Sequence, residues 1–143
     1  MAQAATVRFY FDADVLGLAH VVCALRPDCT FPGDLGATIK RRVRPACPVA
    51  SPKVKDPEWI PIVTAQNWVI ISRDSHIASR PAEIAAIRDH GARLIALAGR
   101  DAGTPWEQLE VLLTHWRAIE PLTADAGPWV YTATRTRLHR VEI

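Results

Sequence analysis

The chain has 143 residues, 49% of them hydrophobic and 22% charged, with a formal net charge of +2. One domain is typically of this length, which allows roughly 70% of the unfolded surface to be buried without staples, so a single domain over residues 1–143 is expected. Cys23, Cys29 and Cys47 form no C-x-x-C pair, against a disulfide framework or tetrahedral zinc site, and the short polar start lacks the apolar run of a signal peptide or membrane span, so a cytoplasmic location is expected.

Val7-Arg8-Phe9-Tyr10-Phe11 is β-branched and aromatic and reads as the first strand. Residues 16–25 read as a helix that Pro27 cannot continue. Cys29-Thr30-Phe31 reads as a short second strand, and the Pro- and Arg-rich segment from Pro32 to Lys55 reads as irregular. Asp56 followed by Pro57 reads as an N-cap and first helical residue, with Trp59, Ile60 and Val63 on the apolar face and Asn67 as the stop. Trp68-Val69-Ile70-Ile71-Ser72 is a continuous apolar run, as a central parallel strand covered on both faces requires.

Residues 81–90, closed by Gly91, make a third helix, and residues 93–97 another strand. Thr104-Pro105-Trp106-Glu107 is a capping box. It opens a helix to about Ile119, whose apolar stripe is read as Trp106, Leu109, Leu112, Leu113 and Trp116. Trp129-Val130-Tyr131 and the alternating tail supply a last strand or hairpin. Strands alternating with helices predict a three-layer α/β/α fold around a central, mostly parallel sheet.

In such a sheet, strand C-termini and helix N-termini share the rim where ligands bind. Of fifteen acidic residues, position leaves Asp12, Asp14, Asp34, Asp56, Glu58, Asp74 and Asp101 on that rim. Asp28, Asp89 and Asp125 fall on the opposite one, and Glu83, Glu110 and Glu120 are read as solvated helix residues. Asp12, Asp56 and Asp74 converge best. No His or Cys nearby offers a softer donor, so an all-oxygen site for Mg²⁺ or Mn²⁺ is expected, the cation relieving the repulsion of clustered carboxylates.

Fourteen of the seventeen bases are Arg, whose planar fork suits phosphate. Lys40, Arg41, Arg42, Arg44, Lys53 and Lys55 form one group without an intervening acid, and Arg135, Arg137 and Arg140 a second. A basic strip beside carboxylates is what a phosphodiester substrate needs. Trp59 and Trp68 are read chiefly as core, with base stacking as the other role open to them.

Asp56-Pro57-Glu58-Trp59-Ile60, leading through Val69-Ile70-Ile71 to Ser72-Arg73-Asp74, resembles the block in PIN domains where a helix-opening Asp precedes a strand ending in Ser/Thr-Arg-Asp. With Phe9-Tyr10-Phe11-Asp12 near the start, residues 7–98 are similar to the short PIN-like nucleases related to VapC-type toxins. The resemblance implies a metal-dependent ribonuclease with catalytic and metal-ligating Asp12, Asp56 and Asp74. Longer PIN domains carry one more acid on a helix after the second strand. Here that region is short and basic, leaving Asp14, Asp34 or Glu58 as substitutes, or a single metal. Phosphate contacts are expected from Arg73, His76, Arg80, Lys53 and Lys55. The expected partners are an RNA substrate and an antitoxin protein, and a homodimer is compatible with the reading.

Two rivals belong to other classes. Asp12-Ala13-Asp14 also fits the D-x-D opening of haloacid-dehalogenase-like phosphatases, with Asp12 as nucleophile, but the late acidic pair of those enzymes is missing. A non-catalytic PIN-like binding module is the other.

Overall fold

The computed structural model describes residues 2–73 and 80–143, and of residues 56 and 57 the backbone alone. A two-residue strand, β1 (Gln3–Ala4), precedes β2 (Phe9–Phe11), and a 3-10 turn at Ala13–Val15 leads into α1 (Leu16–Leu25). Next come β3 (Cys29–Thr30), β4 (Ala37–Ile39), β5 (Arg42–Arg44), α2 (Asp56–Ala65) and β6 (Val69–Arg73). The chain closes with α3 (Pro81–His90), β7 (Arg93–Leu97), α4 (Pro105–Ile119), β8 (Trp129–Ala133) and β9 (Leu138–Val141).

Six strands pair in the order β3-β2-β6-β7-β8-β9, all parallel except β9 against β8. Strand periodicity then sorts side chains between two cores. Val69 and Ile71 of β6 join Phe9, Phe11, Ile95 and Leu97 beneath α1 and α4. Ile70 joins Tyr10, Leu94 and Val130 beneath α2 and α3. The three-layer α/β/α architecture read from the sequence is therefore the observed one. Gly17 of α1 allows α4 to start close by, since a Cβ there would lie 2.7 Å from Pro105 Cγ.

The segment read as irregular contains β4 and β5, an antiparallel hairpin that β1 joins in a second, three-stranded sheet. Its turn places Lys40 and Arg41 at φ 48° and 67°, conformations usually supplied by Asn or Gly, so no familiar turn dipeptide marks it. The hairpin hydrogen-bonds to β1 (Gln3 N–H to Arg41 C=O, 2.8 Å), on the side from which the chain enters β2. It therefore stands away from the strand C-termini, and Lys40, Arg41 and Arg42 do not flank the expected acidic site.

Two smaller corrections concern helices. Lys55, not Asp56, is the N-cap of α2, and Asp56 is its first residue. In α4 the Thr104–Glu107 cap forms as expected, Glu107 N–H donating to Thr104 Oγ1 at 3.2 Å. The buried stripe, however, runs through Gln108, Val111, Leu112, His115 and Ile119, while Trp106 and Leu113 are exposed. Gln108 and His115 can be buried because each has a polar contact, Gln108 Nε2 to Ala102 O at 3.2 Å and His115 Nε2 to Thr134 O at 2.7 Å.

All three cysteines are free and buried. Burial pushes the Cys23 thiol up to about 12. No helix among the described residues is long and apolar enough to cross a membrane.

Asp28 lies on the rim opposite the strand C-termini, as expected, and gathers Arg8 (2.7 Å) and Arg26 (3.0 Å), while Arg8 also reaches Glu120 at 3.1 Å. Burial disfavours the ionised carboxylate, but the hydrogen bonds and charges of Arg26 and Arg8 outweigh it and hold Asp28 below the ordinary 3.8. A depressed folded-state value stabilises the fold above the unfolded pKa and loses that contribution as pH falls through the folded one. Asp28→Asn is therefore expected to cost about 1 kcal/mol near neutrality, solvent screening of the partly exposed arginines limiting the effect. In paired urea titrations the gap between variant and wild type should close below about pH 4; a constant gap at all pH values would contradict the assignment.

Candidate active site

The C-terminal ends of β2 and β6, neighbours in the sheet, deliver Asp12 and Ser72 to one rim. There a cavity of about 280 Å³ opens on the α2 and α3 side, with Asp12, Asp14, Ser72, Arg80 and Glu83 among its polar walls. Trp59, Ile60, Ile87 and Leu94 supply the apolar ones. Trp59 and Trp68 are 4% and 7% exposed and pack with Tyr10, ring centroids 5.2 and 6.4 Å away. Both are core residues, Trp59 forming a cavity wall.

The two carboxylates after β2 are oriented by the backbone. Asp12 caps the 3-10 turn, its Oδ1 accepting from Ala13 N–H at 2.6 Å. Asp14 Oδ2 accepts from Arg73 N–H at 3.1 Å, tying the turn to the end of β6. The cavity therefore takes its acids from a segment held at two points.

Glu83 enters from the first turn of α3 and pairs with Arg80, Nη1 to Oε1 3.1 Å. Glu83 is set aside in the sequence as a solvated helix residue, whereas the structure shows it partly buried and lining the cavity. A signal is present in the spacing: Arg80, Glu83 and Ile87 stand at i, i+3 and i+7 and share one helix face, and Ile87 is a core residue. The acid beside it faces the same way.

Two expected substitutes for the additional acid lie elsewhere. Asp34 is 5% exposed and bound to Arg44 (Nε to Oδ2 2.7 Å), to the Thr30 hydroxyl (2.8 Å) and to Gly36 N–H (2.9 Å). Its oxygens are engaged in holding the fold. Glu58 is exposed on α2 and takes no part in the cavity wall, whereas its neighbours Trp59 and Ile60 do. Asp74, His76 and the side chain of Asp56 lie outside the described residues. Among the described residues no three His, Cys, Asp or Glu side chains stand together closely enough to hold a metal ion.

Of the expected phosphate contacts, Arg80 lines the cavity, and the exposed Lys53 and Lys55 alternate with the lining residues Pro52 and Val54. Arg73 is exposed at the end of β6, its Nη2 donating to Gly99 C=O at 3.2 Å. Arg44 is lost to the buried pair with Asp34.

Among the described residues the metal-donor groups lining the cavity are oxygens: carboxylates of Asp12, Asp14 and Glu83, and the Ser72 hydroxyl. Oxygen donors of this kind are the ones that hard divalent cations such as Mg²⁺ or Mn²⁺ prefer. A family model described as a PIN-like domain matches residues 8–99. Neither a curated protein nor a solved structure matches the chain.

Proposed function

The chain belongs to the PIN-like domain family, and on that premise we propose that it is a Mg²⁺- or Mn²⁺-dependent ribonuclease hydrolysing RNA phosphodiester bonds. The observation that carries the reading is the meeting of Asp12, Asp14, Ser72 and Glu83 around one rim cavity. The membership favours a nuclease over a phosphatase using Asp12 as nucleophile, and the cavity favours it over a non-catalytic module.

Asp12, with Asp56 and Asp74, would hold the cation, and Asp14 and Glu83 would complete the acidic set. Glu83 thus joins Asp14 in the part for which the sequence offers Asp14, Asp34 or Glu58. When bound, the cation supplies Lewis-acid stabilisation of charge on the phosphate and lowers the pKa of water. The chain's own residues do the positioning. The Ala13 and Arg73 N–H groups fix the Asp12 and Asp14 carboxylates, Arg80 and the lysines at 53 and 55 attract the phosphate backbone, and the apolar wall of Trp59, Ile60 and Leu94 limits water on one side.

The finer assignment, the toxin of a toxin–antitoxin pair, is part of the same proposal. A protein partner is supported by an apolar groove between α1 and α4, lined by Val21, Leu25, Leu109 and Leu113. Leu25 is 71% and Leu113 62% exposed, more than scattered surface apolar residues require. A homodimer would use the same face, and sedimentation of the purified chain alone and with an inhibitor encoded beside it separates the two.

The activity test is direct. Purified protein with Mn²⁺ is expected to cut single-stranded RNA, and chelation with EDTA to stop it. Intact RNA at high enzyme concentration would leave the binding-module reading in its place.

A further inference from the structure

The rim beyond the cavity carries arginines on successive strand ends. Arg73 ends β6, Arg100 lies in the turn after β7, and Arg135 and Arg137 lie in the turn between β8 and β9. All four are exposed. Because β6, β7 and β8 are parallel neighbours, these turns share the rim of Asp12, and strand spacing of about 4.8 Å places β8 roughly 14 Å from β2.

The turns are linked to one another. Arg73 N–H donates to Asp14, and Arg73 Nη2 to Gly99 C=O. The next turn holds the last: Asp101 Oδ2 accepts from Arg135 N–H at 2.8 Å, and Ala98 N–H donates to Ala133 C=O at 2.8 Å. His115 of α4 contacts Thr134 C=O, and the Thr134 hydroxyl accepts from Arg137 N–H at 3.0 Å. A hydrogen-bonded row of turns thus runs from the carboxylate cavity to the β8–β9 hairpin, holding four guanidinium-bearing positions on one edge.

We propose that this row is a track for the backbone of a single-stranded RNA, Arg73, Arg100, Arg135 and Arg137 contacting successive phosphates on one side of the cleavage site. The proposal rests on the nuclease reading for its substrate and extends it to residues outside the cavity. Arginine suits the role because it stays charged and pairs with phosphate at two points. Contacts to phosphate carry no base information, so the track fixes the path of the strand and leaves its sequence free. The first basic group, Lys40 to Arg42, belongs to the hairpin on the other side of the fold and takes no part.

The test is binding of a short fluorescein-labelled single-stranded RNA followed by anisotropy in EDTA, where no cleavage interferes. Arg100→Ala with Arg137→Ala is compared with Lys40→Ala with Arg42→Ala, which removes the same charge elsewhere. Arg135 is left intact because it also lies 3.7 Å from Glu107. The track predicts that the first pair weakens binding about tenfold or more at low salt and reduces the slope of log affinity against log salt by about 1.4, two lost contacts at about 0.7 each. The second pair should shift affinity less than about twofold. Single-stranded DNA of the same sequence should show the same loss, since no 2′-hydroxyl contact is invoked. Equal losses from both pairs, or none from the first, overturn the track. If wild type with Mn²⁺ leaves the RNA intact while the first pair still loses binding, the nuclease reading fails and the track stands. Normal cleavage with unmoved binding removes the track and keeps the nuclease.

Discussion

Asp12→Asn is expected to lower RNA cleavage by about a thousandfold, corresponding to about 4 kcal/mol of lost transition-state stabilisation, without unfolding the protein. The substitution removes one negative charge from the cavity while keeping the size and shape of the side chain. Asn caps a helical turn about as well as Asp, so the bond from Ala13 N–H that orients residue 12 should survive, and the melting temperature should stay close to that of wild type. Glu83→Gln keeps the shape of a side chain whose carboxylate lines the same cavity, and a fall of about 10- to 100-fold is expected. Glu58→Gln, on an exposed position outside the cavity wall, should leave the rate unchanged. Initial rates on a fluorogenic single-stranded RNA with saturating Mn²⁺ report all three. An Asp12→Asn protein that cleaves at the wild-type rate would remove the metal-site reading.

What makes Asp12 legible is chain order: an apolar run followed at once by an acid, in a pattern that forces parallel strands. The same pattern marks α1 and α3 over their observed lengths and the main strands of the six-stranded sheet. Glu83 escapes a rule about helix residues in general, because only the face presented by its own turn tells where it points. Asp34 is misplaced for a related reason. Chain order puts it past β3 near the right rim, but its partner Arg44 lies ten positions on in a hairpin invisible to turn statistics, where Lys40 and Arg41 take up left-handed backbone. In α4, hydrophobicity alone chooses Trp106 and Leu113 over Gln108 and His115, whereas the fold buries the polar pair because carbonyls of Ala102 and Thr134 await them. In each case a tertiary contact overrides a local preference.

Asp34→Ala is expected to destabilise the fold by about 3–5 kcal/mol, a large share of the roughly 5–15 kcal/mol available to a domain. Both side chains of the Asp34–Arg44 pair are 4% exposed. Arg44 Nη1 donates to the carbonyls of Cys23 (3.0 Å) and Arg26 (3.1 Å) at the C-terminal end of α1, where the helix dipole favours a cation. Removing Asp34 leaves that guanidinium buried against carbonyl dipoles alone and frees the Thr30 hydroxyl and Gly36 N–H of their acceptor. The pair itself need not be a large net stabiliser, since two buried charges lose much of their attraction to desolvation. Asp34→Leu with Arg44→Met should therefore be less destabilised than Asp34→Ala, although both charges and their hydrogen bonds are gone. Urea unfolding followed by tryptophan fluorescence measures both. A single variant within about 1 kcal/mol of wild type would show that the buried charge tolerates isolation, while a double variant worse than the single would mean that the hairpin depends on the polar contacts themselves.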